Sequence, residues 1–489
     1  MIHIASFMIV ALLILSCSTS ATKDPAPKIS SPTNCIFFGG ADHDHLRDVY
    51  LDQAGNIYVT GGTRSTDFPA TKIIKTAGEK EAETVEAWDV FVAKFSPNGK
   101  LLWSTLIGGP NYDRAYAIEV GKDGAIYVSG RAGKGFPVTK GALQTTFSGG
   151  MVTSFYGHQD GFLLKLTADG QSILWATYFG TNDAMPVRDI ALAEDDSIYL
   201  ASGATTGLPY QPQIASKFKN SAKGLTEAVL AKFSSSGEML WGMYVGGSLA
   251  ETHENSVRVD SRGNVFFLCS SFSTDAQTTR RPHAGALDFH LTKWTSEGEL
   301  LWATFVGGSG GDGPETHNLA VDPSGNAYIA GQTHSVDFPV TDGSIFRGAG
   351  TGTGVLANYK GDCAIAKVSS EGEILKAIYL GGSKGEACEG VDVGSGYLHV
   401  TGATSSLDLW TDAAAMQRSY GGGNLDSFYG MLTLDLQLKT FTYFGGSSND
   451  FGRTLAASDH GVVFGGPSFS SDLKTTTEYK GRGDGFICF

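Results

Sequence analysis

One pattern recurs seven times along these 489 residues, and its last copy is completed by residues near the start of the chain. A strand closes on Phe38-Gly39-Gly40, Ile107-Gly108-Gly109, Phe179-Gly180-Thr181, Val245-Gly246-Gly247, Val306-Gly307-Gly308, Leu380-Gly381-Gly382 and Phe444-Gly445-Gly446. An acid opens a later strand of every copy: Asp89, Asp160, Glu227, Asp288, Asp362, Asp426 and Asp484. A repeat that closes on itself describes a ring.

Each copy holds four short β-branched and aromatic runs bounded by glycine and asparagine turns, the local signature of an antiparallel meander. In the first copy these strands, a to d, read Arg47–Asp52, Asn56–Gly61, Asp89–Phe95 and Leu101–Ile107. No segment carries a helical period, which excludes α/β architectures. A period of roughly 60–75 residues with four strands each is the radial repetition of a propeller. The chain stops at Asp484-Gly485-Phe486-Ile487-Cys488-Phe489, a strand c with no strand d after it. Asn34-Cys35-Ile36-Phe37-Phe38-Gly39-Gly40 is a strand d with nothing before it. The expected fold is therefore all-β, a seven-bladed β-propeller over residues 34–489 whose last blade is closed by the N-terminal strand, leaving no open edge there.

The stretches Asp89–Gly99, Val321-Asp322-Pro323-Ser324-Gly325-Asn326-Ala327-Tyr328, Ser335-Val336-Asp337-Phe338-Pro339-Val340-Thr341 and Gly141–Phe147 resemble the bacterial β-propeller repeat called the SBBP repeat. The resemblance implies the same ring, and a scaffold of the kind used in exported and surface proteins. It implies little about activity, because a fold does not carry a function.

The N-terminus reads as an address. Ile4–Leu15 is apolar but short for a bilayer span, and Leu15-Ser16-Cys17 resembles a bacterial lipobox, although the segment before it has His3 and no Lys or Arg. The expected organisation is a signal peptide over 1–17 with Cys17 as the lipidated residue, then a flexible tether over 18–33. That places the protein in the bacterial cell envelope as a lipoprotein; an ordinary secretory signal, giving a secreted or periplasmic protein, is the alternative. The net charge of −14 argues against nucleic acid, and against anionic lipid beyond the anchor, as main partner. The expected oligomeric state is a monomer.

Cys35 and Cys488 fall nearly opposite one another on the closing strands, so a disulfide stapling the chain ends stands beside two free buried thiols. Cys363 and Cys388 lie towards the same rim of neighbouring blades and leave the same choice, while Cys269 reads as a lone core thiol.

No catalytic triad, nucleophile elbow, calcium loop or phosphate loop is legible, and no cofactor or metal is assigned. Asp42-His43-Asp44-His45 offers ligand types without a fixed third anchor, so it reads as an acidic turn. The acids opening strand c read as caps for backbone N–H groups of the preceding loop. Trp103, Trp175, Trp241 and Trp302 share one position on strand d, where an indole packs between blades; the sixth copy has Lys376 there.

Function is expected on one rim. The a-to-b and c-to-d links are short turns, whereas the b-to-c links are long: Thr63–Trp88, Ala132–Gln159, Ala204–Thr226, Thr333–Gly361 and Ala403–Leu425. In a meander the b-to-c and d-to-a links emerge on the same face, where binding loops gather. Aligning the start of strand a brings Arg47, Tyr116, Arg188, Asn255, His317, Glu389 and Arg453 to the channel mouth on that face, with a one-residue gap at Glu389. Three arginines among polar groups suit an anionic or polyhydroxylated ligand; a hydrated channel lining is the plainer reading. The leading function is a non-catalytic binding scaffold presenting this face to a protein or glycan partner. The alternatives are a carbohydrate lyase or hydrolase with its site at the mouth, and a structural envelope component.

Overall fold

The computed structural model describes residues 32–489 except 79, 81–85, 150–155, 181–185, 206–214, 253, 316 and 342–360. Cys17 and nearly all of the tether therefore lie outside the described residues, as do parts of the long loops.

Seven separate sheets each run a, b, c, d in order. Strand a of every blade lies against strand a of both neighbours, which closes the ring around an axis. In the last blade Asn34–Gly40 supplies strand d: Cys35–Phe38 pairs antiparallel with Asp484–Cys488, Cys35 opposite Cys488. Cys35 and Cys488 are joined there by a disulfide, with Cα atoms 4.1 Å apart. A second disulfide joins Cys363 on strand c of blade five to Cys388 on strand a of blade six. Cys269 is free and buried.

Because blades stack face to face, both faces of each sheet are dry, and strands such as Ile126–Ala132 are buried along their whole length. The core is thus a set of inter-blade clusters; one joins Tyr58 and Val92 of blade one to Ile118 and Leu164 of blade two. Each such side chain contributes about 1.5–3 kcal/mol on burial. The indoles bridge the same gaps. Nε1 of Trp175 donates to the oxygen of Ser235, and Nε1 of Trp302 to that of Ser370, each in the next blade's c-to-d turn. Gly372 in that turn has φ of 89°, and a Cβ there would lie 2.8 Å from the Trp302 ring, so no other residue fits.

The Gly-Gly closure is built around a carboxylate. The second glycine N–H donates to the acid four residues on, as Gly40 to Asp44, Gly247 to Glu251, Gly308 to Asp312, Gly382 to Glu386 and Gly446 to Asp450. In the same blades the next residue's N–H donates to the aspartate of a Ser-x-Asp turn: Asp67, Asp275, Asp337, Asp408 and Asp472. A Cβ on Gly39 would sit 2.6 Å from the Asp44 carboxylate, which explains the invariably small residue. Burial pushes these inner acids up, Asp44 to about 6 and Glu251 and Glu386 to about 7. The acids opening strand c accept loop N–H groups, as Glu227 does from Lys223 and Gly224, and Asp484 from Lys480 and Gly481.

Three details differ from the sequence reading. Strand a of blade one begins at Asp44, not Arg47, because the pairing with strand b continues across a bulge between Leu46 and Asp48. Lys72–Lys75 in the first b-to-c loop adds a fifth, parallel strand outside Leu101–Gly108. Strand a of blade five is split into Asp312–Gly313 and Leu319–Val321, both paired with Ala327–Thr333.

Candidate functional site: the mouth of the channel

Bulges and breaks in the inner strands aim the site residues at the axis. Arg47, Tyr116 and Glu389 are each the extra residue of a β-bulge in strand a of blades one, two and six. This turns a side chain out of the alternation and into the channel. His317 sits in the break of blade five with φ of 63°. Arg188, Asn255 and Arg453 immediately precede strand a of blades three, four and seven.

Six of the seven positions meet. The Tyr116 ring has the guanidinium carbons of Arg188 and Arg47 at 4.5 and 5.6 Å. Nε2 of His317 lies 3.0 Å from the Tyr116 carbonyl oxygen. Arg453 pairs with Glu389 and reaches Glu315 at 3.8 Å. Asn255 turns away, donating from Nδ2 to the oxygen of Ser202 in blade three at 2.5 Å.

Below the mouth, His317 crosses the axis between two carboxylates, with Nδ1 3.5 Å from Asp189 and Nε2 3.7 Å from Asp48. Those carboxylates also join blades: Asp48 accepts the N–H of Ile118, and Asp189 those of Val257 and the Arg258 side chain. Burial opposes charge on His317, but Asp48 and Asp189 outweigh it and hold the imidazolium above its ordinary pKa. Burial likewise acts against Asp189, where Arg258 and His317 prevail and keep it ionised. The channel is thus stoppered by a buried histidine whose charged form the two carboxylates favour.

Above this stopper the mouth is polarised. On one side Arg188 pairs with Glu254 at 3.1 Å, and Arg453 with Glu389. On the blade-two side stand Arg47, Arg114 and Arg131, which face tyrosine rings and have no carboxylate partner among the described residues. Arg114 donates to the Tyr116 hydroxyl, and Arg131 lies 4.1 Å from the Tyr156 ring and 5.0 Å from that of Tyr112. Burial lowers Arg47 to about 9, helped by Arg114 and Arg453. Burial alone would raise the Tyr116 phenol; Arg114, Arg131, Arg188 and Arg47 reverse that and hold it well below its usual value.

The seven-position alignment missed Tyr112, Arg114, Arg131 and Tyr156. Tyr112 and Arg114 lie two residues apart at one strand start, so the alternation of a single strand carried part of this signal. Arg131 is the cross-strand partner of Arg114, and that pairing is set by register. His43 and His45, in the acidic turn, do not converge with Asp44: the carboxylate serves the Gly-Gly closure, and His45 packs on Trp88 at 4.8 Å.

Among curated proteins, the chain is similar to the "Regulatory protein FlaEY" of Caulobacter vibrioides, 23% identical over 429 residues that make up 81% of this chain and 42% of that protein. It thus spans less than half the length of that relative. Among solved structures it is similar to the WD40 β-propeller domain of Doa1, with a TM-score of 0.43 and 12% identity over 94% of this chain and 97% of that one. It is also similar to the polysaccharide lyase Uly1, with a TM-score of 0.42 and 7% identity over 94% of this chain and 98% of that one. A family model described as SBBP, "Beta-propeller repeat", matches residues 301–339. With that match and seven four-stranded blades in a closed ring, the chain is a seven-bladed β-propeller carrying the SBBP repeat.

Proposed function

We propose that the protein is a non-catalytic binding propeller, exported and held to the envelope through a lipidated Cys17, that offers its loop-rich rim to a protein or glycan partner. The observation that carries this reading is the polarised mouth, where Arg47, Arg188 and Arg453 converge on the rim from which the long b-to-c loops emerge. Rigid inner strands with a stoppered axis make a fixed platform, and variable loops around it supply contact area. Replacing Arg47, Arg188 and Arg453 together by Gln is expected to weaken retention of an envelope partner in crosslinked fractions. Hydrogen bonds from charged guanidinium groups contribute on the order of 1.5–3 kcal/mol each. Equal capture by wild type and triple variant would move the binding face elsewhere.

The alternative of a lyase or hydrolase needs a base that substrate can reach. Tyr116 has the depressed pKa for that role, but it is 1% exposed and its hydroxyl is occupied by Arg114. That favours binding over catalysis.

A further inference from the structure

Arg114 and Arg131 are only 5% and 8% exposed, yet neither has a carboxylate to answer its charge among the described residues. Their Nε atoms, and those of Arg47 and Arg188, are buried without a hydrogen-bond partner. Like charges on paired positions of neighbouring strands, such as Arg114 and Arg131, out of water and facing aromatic rings, are a costly arrangement for a protein to keep. The cost is offset when an anion enters: guanidinium forks match the geometry of carboxylate and phosphate oxygens, and a dry setting strengthens the contact.

We propose that Arg47, Arg114 and Arg131 form an oxyanion site on the blade-two side of the mouth, taking the carboxylate or phosphate group of a ligand. The site rests on the binding face argued above and gives that face a ligand chemistry. Tyr112 and Tyr156 wall it, 4.6 Å apart between ring centroids, and hold the guanidinium planes by their faces. The carboxylates of the opposite side, paired with Arg188 and Arg453, keep an anion off that half of the mouth. The charge pattern is therefore directional, which is how a polar end of a larger ligand would be oriented.

The test uses the full chain at low salt, titrated calorimetrically with trigalacturonate as the carboxylate probe and, separately, with inorganic phosphate. Saturable binding of either supports the site, and the probe that binds tells a uronate glycan from a phosphate source. Arg131→Gln should weaken that binding roughly tenfold or more, whereas Arg453→Gln, whose charge is already answered by Glu389, should have a much smaller effect. If Arg131→Gln does not fold, Arg47→Gln takes its place in the same titration and should show the same loss. Binding of neither probe, or an equal loss in both variants, would overturn the site. Partner retention by a wild type that binds neither probe would overturn the oxyanion site alone and leave the binding face standing.

Discussion

His317 of blade five places Nε2 3.0 Å from the carbonyl oxygen of Tyr116 in blade two, so one side chain ties strands on opposite sides of the propeller axis. The two residues are 201 positions apart, and the contact exists only because a break in one inner strand and a bulge in another face each other. The same histidine lies between the carboxylates of Asp48 and Asp189. Removing it leaves Asp48 without a basic partner among the described residues, while Asp189 keeps Arg258.

His317→Ala is therefore expected to destabilise by about 3 kcal/mol, the lower end for breaking a buried ion pair, because its carboxylate contacts of 3.5 and 3.7 Å are long. The sign with pH follows from the raised folded-state pKa. The stabilising contribution is complete below the unfolded value, about 6.5, and is lost as pH rises through the folded one. Denaturant melts of wild type and variant should converge as pH is raised; a gap that widens with pH would refute the charged stopper.

The inner-strand acids share that sign. Asp44, Glu251 and Glu386 have folded-state values of about 6 to 7, above the unfolded range, so the native state holds more protons in between. Their contribution is present at low pH and declines as pH rises towards 7. Thermal midpoints should be higher near about pH 5 than near about pH 8, and Glu251→Gln should flatten the difference. A midpoint that rises steadily with pH would contradict these buried carboxyls.

Deleting residues up to Gly40 removes strand d of blade seven together with the Cys35–Cys488 link. The exposed strand c should make the truncated chain less stable and prone to associate through its open edge, as read by size-exclusion chromatography. Removing a native disulfide alone typically costs about 2–5 kcal/mol, so Cys35→Ser separates the staple from the strand. A truncation as stable and monomeric as the parent would refute the closure.

Cys17→Ser should abolish acyl labelling and release the protein from membranes, since no described helix is long and apolar enough to cross one. Unlabelled wild type, or membrane retention that the substitution leaves unchanged, would reject the lipid anchor.

The ring itself was legible from residue order alone. Gly-Gly closures, strand-opening acids and Ser-x-Asp turns recur because each blade solves the same local problem, satisfying loop N–H groups within about thirty residues of chain. The chain ends declared their partnership for the same reason, one lacking the strand the other supplied. The strand starts could be aligned from sequence, and six of the seven aligned side chains come together in the fold. What only the tertiary structure decided is which charges are answered. Whether Arg453 finds Glu389 while Arg131 finds only tyrosine rings depends on bulges, on cross-strand register and on blades that meet across the axis. Electrostatic compensation is a property of distances through space, and residue spacing along the chain does not encode those distances.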